Sequence, residues 1–307
     1  MISLFNINDH IIDTSKYTHL LHGENVENLE NTLKKYVGAK YACSINSATN
    51  AIFLSFLNKS VTVNVPSIIP PVVLNAIATS GNRINFVDNI EWVGNSYTLH
   101  DFGDYKIVDS AQKLEKNQFK KECNPQDLMF FSFYPTKPLG GSDGGLIVSD
   151  DKEKIRWLKE AVLNGMSYSK NNWERKINFA GYKMYLNSMQ ADIVMKNFNL
   201  FEEKSSALRR LVARYNNELG YENTSMHLYR IEVPNNEKFI SQMRDKGIVC
   251  GKHYDAMHKN STYTRGTLFK CPRSEKVEKT TVSLPMNENL TTVEVEHIIK
   301  STKELMW

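Results

Sequence analysis

The 307-residue sequence has little of what marks secreted, metal-binding or membrane proteins. Its four cysteines lie far apart and form no C-x-x-C pair. Neither a disulfide framework nor a cysteine zinc site is therefore expected, and reduced thiols in a cytoplasmic protein are the simplest interpretation. No apolar run is as long as a membrane span, and no signal-peptide pattern is seen near the first residues. We expect a cytoplasmic protein without a membrane partner.

Strong charge of either sign is also missing. The net charge is +4, with the basic residues mixed among acidic ones, which gives nucleic-acid binding little support but would suit an anionic substrate. His253 and His258 have no third ligand at a suitable spacing, so no metal site is predicted. The length suffices for one large α/β domain and a smaller one.

The most informative segment of the chain is residues 130–145, FFSFYPTKPLGGSDGG. It places Lys137 after an apolar strand and before a glycine-rich bend. A lysine held away from water has a lowered pKa, so that its free amine can attack a carbonyl carbon. Such amines form Schiff bases, and pyridoxal phosphate is the cofactor that most often uses one. A solvated lysine beside a loop is the alternative.

A second segment, residues 107–112, ends an apolar strand with Asp109. A carboxylate there lies at the carboxyl edge of a sheet, where open α/β folds bind ligands. Beneath a pyridine nitrogen it would keep that nitrogen protonated, and Gln112 would donate a hydrogen bond to the neighbouring ring oxygen. Taken alone, the segment is more typical of a helix N-cap, since Asp and Ser are both good caps.

A third segment, residues 43–52, runs from small polar residues into an apolar helix. The N-terminus of a helix offers free N–H groups and partial positive charge, which together bind phosphate. Ser47 and Thr49 add hydroxyl groups. A helix cap without a ligand is the alternative.

Together these segments resemble the DegT/DnrJ/StrS family of nucleotide-sugar aminotransferases, a branch of the fold type I pyridoxal-phosphate enzymes. The resemblance runs through most of the chain. The matching motifs are Gly38–Ala42 with Ser47-Ala48-Thr49, Asp109-Ser110-Ala111-Gln112, Ser132-Phe133 through Lys137 with Gly144-Gly145, Gly181-Tyr182-Lys183 with Gln190-Ala191, His253-Tyr254 with His258, and Ser283-Leu284-Pro285.

The resemblance implies pyridoxal 5'-phosphate as the cofactor and Lys137 as the catalytic residue. Lys137 would hold the cofactor as a Schiff base and move a proton during transfer. Asp109 would pair with the pyridine nitrogen, and Gln112 would contact the phenolic oxygen.

The resemblance also implies the residues that bind the phosphate and the substrate. Ala48, Thr49 and Ser132 would hold the phosphate, while His253 and Tyr254 would lie near the substrate. The family's active sites form between two subunits, so a homodimer is expected.

Two positions depart from the family pattern. The aromatic residue that usually stacks on the cofactor ring aligns near Pro70, so that proline or isoleucine would cover the ring. The asparagine that usually reaches the neighbouring subunit's phosphate falls in a segment with Lys183, Tyr185 and Asn187, and the sequence does not decide which of them takes that role.

The largest departure is length. Between Asp88 and Asp109 the family usually has two helices and a strand, but only residues 89–108 are present here. Parallel strands need crossovers of about a dozen residues, and Leu99 and Ile107 are too close for that. We therefore expect a trimmed large domain. The substrate contacts that this region normally makes would then be either lost or supplied by the partner subunit.

Apolar runs at residues 61–65, 84–87, 106–108, 128–133 and 146–149 predict strands between helices. The predicted fold is therefore α/β: a mostly parallel, helix-covered sheet in a large domain, residues 1–185 with an N-terminal arm. Residues 186–307 would form a long connecting helix, at residues 186–219, and a small α+β domain.

The predicted function is transfer of an amino group from an amino acid, glutamate in this family, to a keto sugar that is nucleotide-linked, in amino-sugar or surface-polysaccharide biosynthesis. Two alternatives stay open: an enzyme of the same fold that acts on a small keto compound, and an idle homologue that only binds nucleotide sugar.

Overall fold

Helices and strands alternate along the computed structural model, which describes residues 1–7, 10–168 and 174–306. The helices are α1 Glu24–Val37, α2 Ala48–Phe56, α3 Pro71–Thr79, α4 Gln118–Glu122, α5 Lys152–Val162, α6 Ser188–Asn199, α7 Phe201–Leu219, α8 Asn236–Asp245, α9 Ser261–Thr264, α10 Pro272–Thr280 and α11 Thr292–Met306. The strands are β1 Tyr41–Ile45, β2 Thr62–Pro66, β3 Arg83–Val87, β4 Tyr97–Asp101, β5 Lys106–Asp109, β6 Leu128–Ser132, β7 Gly145–Ser149, β8 Met166–Tyr168, β9 Arg175–Ile177, β10 Tyr229–Glu232 and β11 Thr281–Leu284.

The central sheet has the strand order β1-β7-β6-β5-β4, and the parallel pair β2-β3 lies next to β4. The α/β class is confirmed, but the sheet is mixed rather than mostly parallel. Only β5 and β6 run parallel within the five strands; the other neighbouring pairs are antiparallel. Short connections explain this, because β6 returns as β7 and β4 returns as β5 without a crossover helix.

The trimmed segment forms the β4–β5 hairpin. Tyr97 lies opposite Asp109, and Asp101 lies opposite Lys106. Four residues join the strands, too few for a parallel crossover. The expectation that strands near Leu99 and Ile107 cannot be parallel neighbours is confirmed.

Side chains alternate between the two faces of the sheet, and each face has its own core. Phe130 and Ile147 pack with α2 and α3 on one face. Met129 and Phe131 pack with α1 and α6 on the other. This alternation is the period of two expected of a strand covered on both sides.

A further core lies in the C-terminal part of the chain and is built around Tyr215, Tyr229, Met243 and Ile298. Ile2 also packs into it. The predicted boundary between residues 185 and 186 stays a prediction.

One local prediction for this part is wrong. Residues 186–219 form two helices that meet at exposed Leu200, where the backbone has φ −98° and ψ 0°. Buried Phe201 anchors the turn, and no glycine or proline signals it.

Several helix ends follow from the local sequence. Gly38 ends α1 with φ 83°, a conformation that glycine adopts without strain. Thr291 and Glu294 form reciprocal hydrogen bonds at the start of α11. Among the described helices, none combines the length and apolarity that crossing a membrane requires.

Candidate active site

Lys137 lies in a tight loop that follows β6. The backbone N–H of Lys137 donates to the carbonyl oxygen of Tyr134 at 2.9 Å. The backbone N–H of Gly141 donates to the carbonyl oxygen of Phe133 at 2.9 Å. A side chain at Gly140 would meet the carbonyl oxygen of Pro135, because a Cβ there would lie 2.2 Å away. Glycine is therefore required for the loop to fold back and hold Lys137 at the end of the strand.

Burial lowers the pKa of the Lys137 amine below its ordinary value, although the negative charge of Asp109 acts in the opposite direction. Among residues 1–7, 10–168 and 174–306, no hydrogen bond or ion pair engages the amine. Lys137 lines a small pocket with Phe5, His227 and Asn287. A buried amine without a partner beside a cavity is a nucleophile that can condense with a carbonyl group.

Asp109 ends β5 and is only 5% exposed. Ala111 N–H donates to Oδ1 at 2.9 Å, and the Tyr97 hydroxyl donates to Oδ2 at 3.2 Å. Burial raises the pKa of this carboxyl, while Ala111, Lys137 and Tyr97 each act to lower it. Lys137 and Asp109 therefore act on each other electrostatically.

Gln112 and Tyr254 come together in the same region. Gln112 Nε2 donates to the Tyr254 hydroxyl at 2.9 Å, and its Oε1 accepts from Gly94 N–H at 2.7 Å. The negative charge of Asp109 contributes to raising the pKa of Tyr254, after burial. The buried amide of Gln112 is thus held in one orientation beside Asp109.

The residues predicted to bind phosphate also meet. Ala48 and Thr49 form the first turn of α2, where Ser47 caps the N–H of Asn50 at 3.2 Å. Gly145 pairs with Ser132 across the sheet. A Cβ at Gly145 would lie 2.8 Å from the nitrogen of Ala48. Glycine therefore lets the strand end approach the helix N-terminus, whose first N–H groups have no partner within the helix.

His253 lies close enough to Lys137 for the charge of the lysine to act on it. Its Nδ1 and the hydroxyl of Ser283 form a 2.9 Å hydrogen bond. Burial lowers the pKa of His253 to about 4, helped by the positive charges of Lys137 and Arg230. His227, which sequence reasoning missed, is buried and its pKa lies well below the ordinary value, because of burial and then Lys137. In the sequence, His227 is a single histidine shortly before strand β10, and nothing near it indicates a functional role.

Sequence reasoning also missed two aromatic residues of the trimmed segment, Trp92 and Tyr97. Their rings lie 4.7 Å apart, and the Trp92 ring is parallel to that of Tyr254 at 6.1 Å. Trp92 Nε1 donates to the carbonyl oxygen of Ile68 at 3.0 Å. Pro70 precedes α3 and is half-buried. Aromatic side chains are therefore present beside Asp109, and Pro70 holds the position that the sequence predicts for the cover of the ring.

The three candidates for the contact to a neighbouring subunit differ in their surroundings. The Asn187 side chain accepts from Gln190 N–H, and the Gln190 side chain accepts from Asn187 N–H, so Asn187 caps α6. The Tyr185 ring lies 4.4 Å from that of His22. Lys183 is exposed. Asn187 is therefore engaged by its own helix, which leaves Lys183 as the available charge.

His258 joins two parts of the chain rather than facing Lys137. Its Nδ1 lies 2.6 Å from the Ser67 hydroxyl, and its Nε2 lies 3.2 Å from Glu275 Oε1. No group of three potential metal ligands occurs in the part of the chain that the structure describes.

The buried histidines make stability depend on pH. His253 has a pKa of about 4 when folded, against an ordinary value of 6.5. Because folding depresses this pKa, the stabilisation is complete above pH 6.5 and is lost as the pH falls from 6.5 towards 4. The expected slope in that window is up to about 1.4 kcal/mol per pH unit. Urea unfolding at several pH values, compared between the wild type and His253→Asn, measures it. Equal slopes in the two proteins would contradict the assignment to His253.

The fold and the site together define an α/β enzyme that holds a buried lysine amine beside a buried carboxylate. The sequence model of the DegT/DnrJ/EryC1/StrS aminotransferase family matches residues 6–94 and 103–303. The chain belongs to this family, and it is an aminotransferase. The match omits residues 95–102, which contain β4, so the trimmed segment is also where the chain departs from its family.

Curated relatives extend over nearly the whole chain. The chain is 22% identical over 325 residues to UDP-4-amino-4,6-dideoxy-N-acetyl-beta-L-altrosamine transaminase of Campylobacter jejuni, covering 87% of this chain and 86% of the relative. It is 22% identical over 364 residues to spore coat polysaccharide biosynthesis protein SpsC of Bacillus subtilis, covering 96% and 93%.

Solved structures share the fold. The aminotransferase TlmJ from Streptoalloteichus hindustanus has a TM-score of 0.82 at 19% identity, covering 99% of this chain and 98% of that one. PseC from Helicobacter pylori, an aminotransferase of pseudoaminic acid biosynthesis, has a TM-score of 0.80 at 16% identity, covering 99% of each. The predicted fold type I architecture is confirmed.

Proposed function

We propose that this aminotransferase uses pyridoxal 5'-phosphate to move an amino group from glutamate to a keto sugar that is linked to a nucleotide. The observation that carries the proposal is the Lys137 amine, which is buried, unpaired among the described residues and of lowered pKa near the buried carboxylate of Asp109. The relatives support the substrate class, because the Campylobacter jejuni protein is named for a UDP-linked amino sugar.

The residues present fit this cofactor. A buried free amine, a buried carboxylate and the N-terminus of α2 match its aldehyde, ring nitrogen and phosphate. When bound, pyridoxal phosphate supplies an aldehyde that condenses with amines and a ring that accepts an electron pair.

Each residue then has a definite task. Lys137 Nζ would hold the cofactor through its aldehyde carbon and would move the proton during transfer. Because its pKa is lowered, a larger fraction of the amine is free to act as nucleophile and base. Asp109 would hold positive charge on the ring nitrogen, and the hydrogen bonds that Tyr97 and Ala111 donate favour the ionised form of its carboxyl group.

The other predicted residues bind and orient. The first turn of α2, at Ala48 and Thr49, and the hydroxyl of Ser132 would bind the phosphate. Gln112 would donate a hydrogen bond to the ring oxygen. His253 and Tyr254 border the substrate, and neutral His253 accepts or donates a hydrogen bond without placing a second positive charge beside Lys137.

The proposal includes a homodimer that shares its active sites. Exposed apolar side chains support the dimer: Leu20 is 50%, Leu21 40% and Ile177 76% exposed. Such side chains are typical of a surface that a second subunit covers. Light scattering of the purified protein checks this point, and a monomeric mass at micromolar concentration would contradict it.

Absorption spectroscopy tests the function. The protein loaded with pyridoxal phosphate should absorb near the wavelength of a lysine Schiff base, and glutamate should replace that band by the band of the aminated cofactor. Adding nucleotide-linked keto sugars should restore the first band and yield an amino sugar. No response to glutamate would favour an idle binding protein.

The trimmed segment favours one second candidate, an aminotransferase for small keto compounds. Residues 89–108 contribute a hairpin where the family has two helices and a strand, so less protein surrounds the substrate. In the same assay, restoration by pyruvate or another small keto acid, and by no sugar, would identify this activity instead.

A further inference from the structure

Arg230 has a guanidinium group without a partner among the described residues. It lies in β10 and is half-buried, and its Nε is buried without any hydrogen bond. Within the ranges that the structure describes, no carboxylate lies within 4.0 Å of its side chain. Buried charges are normally paired, because an unpaired one costs free energy. An arginine retained in this state is therefore suited to a ligand that brings the missing negative charge.

Arg230 lies close to the site that contains Lys137. Arg230 lies opposite Ser283 in the β10–β11 pair, and the Ser283 hydroxyl bonds to His253. The charges of Arg230 and Lys137 both lower the pKa of His253, so His253 lies within the field of each. Arg230 also acts on Tyr254, whose hydroxyl accepts from Gln112.

The backbone holds Arg230 in place without using its side chain. Asn223 Nδ2 donates to the carbonyl oxygen of Arg230 at 3.0 Å, and Arg230 N–H donates to Asn223 Oδ1 at 3.4 Å. The guanidinium donors therefore remain available, and their planar arrangement matches the two oxygens of a carboxylate.

We propose that Arg230 binds a carboxylate of the amino-acid donor beside Lys137. This inference rests on the proposed function, since it names the residue that recognises the donor. The α-carboxylate of an amino acid is attached to the carbon that carries the transferred amine. Arg230 lies across the β10–β11 pair from Ser283, which bonds to His253, and this places the guanidinium suitably to orient that carbon.

The acceptor's diphosphate is the other anion that an arginine of this enzyme would attract. In a nucleotide sugar, the sugar ring separates the diphosphate from the carbonyl carbon that reacts. An anion site next to the reactive amine therefore fits the donor better than the diphosphate. The two assignments make different predictions for the same variant.

The test compares Arg230→Met, Arg230→Lys and Arg244→Met. Arg244 is the matched control, because it is an exposed arginine in the neighbouring helix α8. Calorimetry measures binding of glutarate, a dicarboxylate that has no amine, and of UDP. Rapid-mixing absorbance measures the concentration of glutamate that half-saturates the response of the loaded protein.

Arg230→Met should weaken glutarate binding and raise the half-saturating glutamate concentration by about 10- to 100-fold, the effect of losing hydrogen bonds to a charged group. The affinities of Arg230→Lys should lie between those of Arg230→Met and the wild type. Lysine keeps the positive charge but cannot donate two parallel hydrogen bonds to a carboxylate. UDP binding should not change, and Arg244→Met should behave as the wild type.

A stability measurement separates a binding role from a structural one. Arg230→Met should keep or raise the melting temperature, because it removes an unsatisfied buried donor while filling a similar volume. Normal glutarate and glutamate affinity in Arg230→Met would overturn the inference, as would a loss of UDP binding with glutarate binding retained. A wild-type protein that ignores glutamate would instead overturn the proposed function itself, and the donor site with it.

Discussion

Lys137→Ala should lower transamination by at least about 10³-fold, since the variant lacks both the nucleophile and the group that moves the proton. The loss should appear in the rate constant of the first half-reaction at saturating glutamate. In the wild type, borohydride reduction should fix a pyridoxyl group to Lys137, detectable by mass spectrometry of the peptide. In the variant, that peptide should be unmodified.

The fold of Lys137→Ala should be intact, because the amine engages no other residue within the described ranges. Lys279→Ala is the matched control: Lys279 is exposed in α10, and its removal should change neither activity nor labelling. Activity within tenfold of the wild type in a folded Lys137→Ala protein would refute the mechanism. Labelling at a different lysine would move the catalytic role to that residue.

Asp109→Asn should reduce turnover by about 10²–10³-fold, the range seen when a group that stabilises developing charge is removed. Asparagine has nearly the same shape and can still accept from Ala111 N–H. The variant therefore tests the negative charge rather than the packing. Single-turnover measurements with glutamate should show the defect in the chemical step more than in binding.

Tyr97→Phe is the matched control for Asp109→Asn. It removes the 3.2 Å hydrogen bond to Asp109 Oδ2 but keeps the carboxylate and the aromatic ring. Because this hydroxyl acts to lower the pKa of Asp109, its loss should raise that pKa further and shift the acidic limb of the rate profile upwards. Turnover at neutral pH should fall by less than about tenfold. Equal losses in the two variants would show that the hydrogen bond between Tyr97 and Asp109, and not the negative charge alone, sets the rate.

The sequence predicts the residues whose roles depend on local structure. Lys137 and Asp109 follow apolar runs that do form β6 and β5, so their place at strand ends could be inferred. Ser47 precedes an apolar run at helical spacing and does cap α2. Family motifs relate these segments to one another, which local patterns alone cannot do.

Residues whose environment depends on tertiary packing could not be predicted. Trp92 and Tyr97 reach Asp109 only because the shortened segment folds into a hairpin. The missing partner of Arg230 depends on what surrounds β10, which no local pattern encodes. The break at Leu200 has no local signal, because the turn is held by burial of Phe201 and not by a glycine or proline.

The β4–β5 hairpin also limits how this chain can evolve. Tyr97 faces Asp109 because four residues join the strands and an irregularity shifts the pairing between Thr98 and His100. Adding or deleting one residue in that connection would slip the strand and turn alternate side chains to the opposite surface. Insertions are usually tolerated in short surface connections, but here the length of a four-residue turn decides whether a tyrosine hydroxyl meets the carboxylate at all.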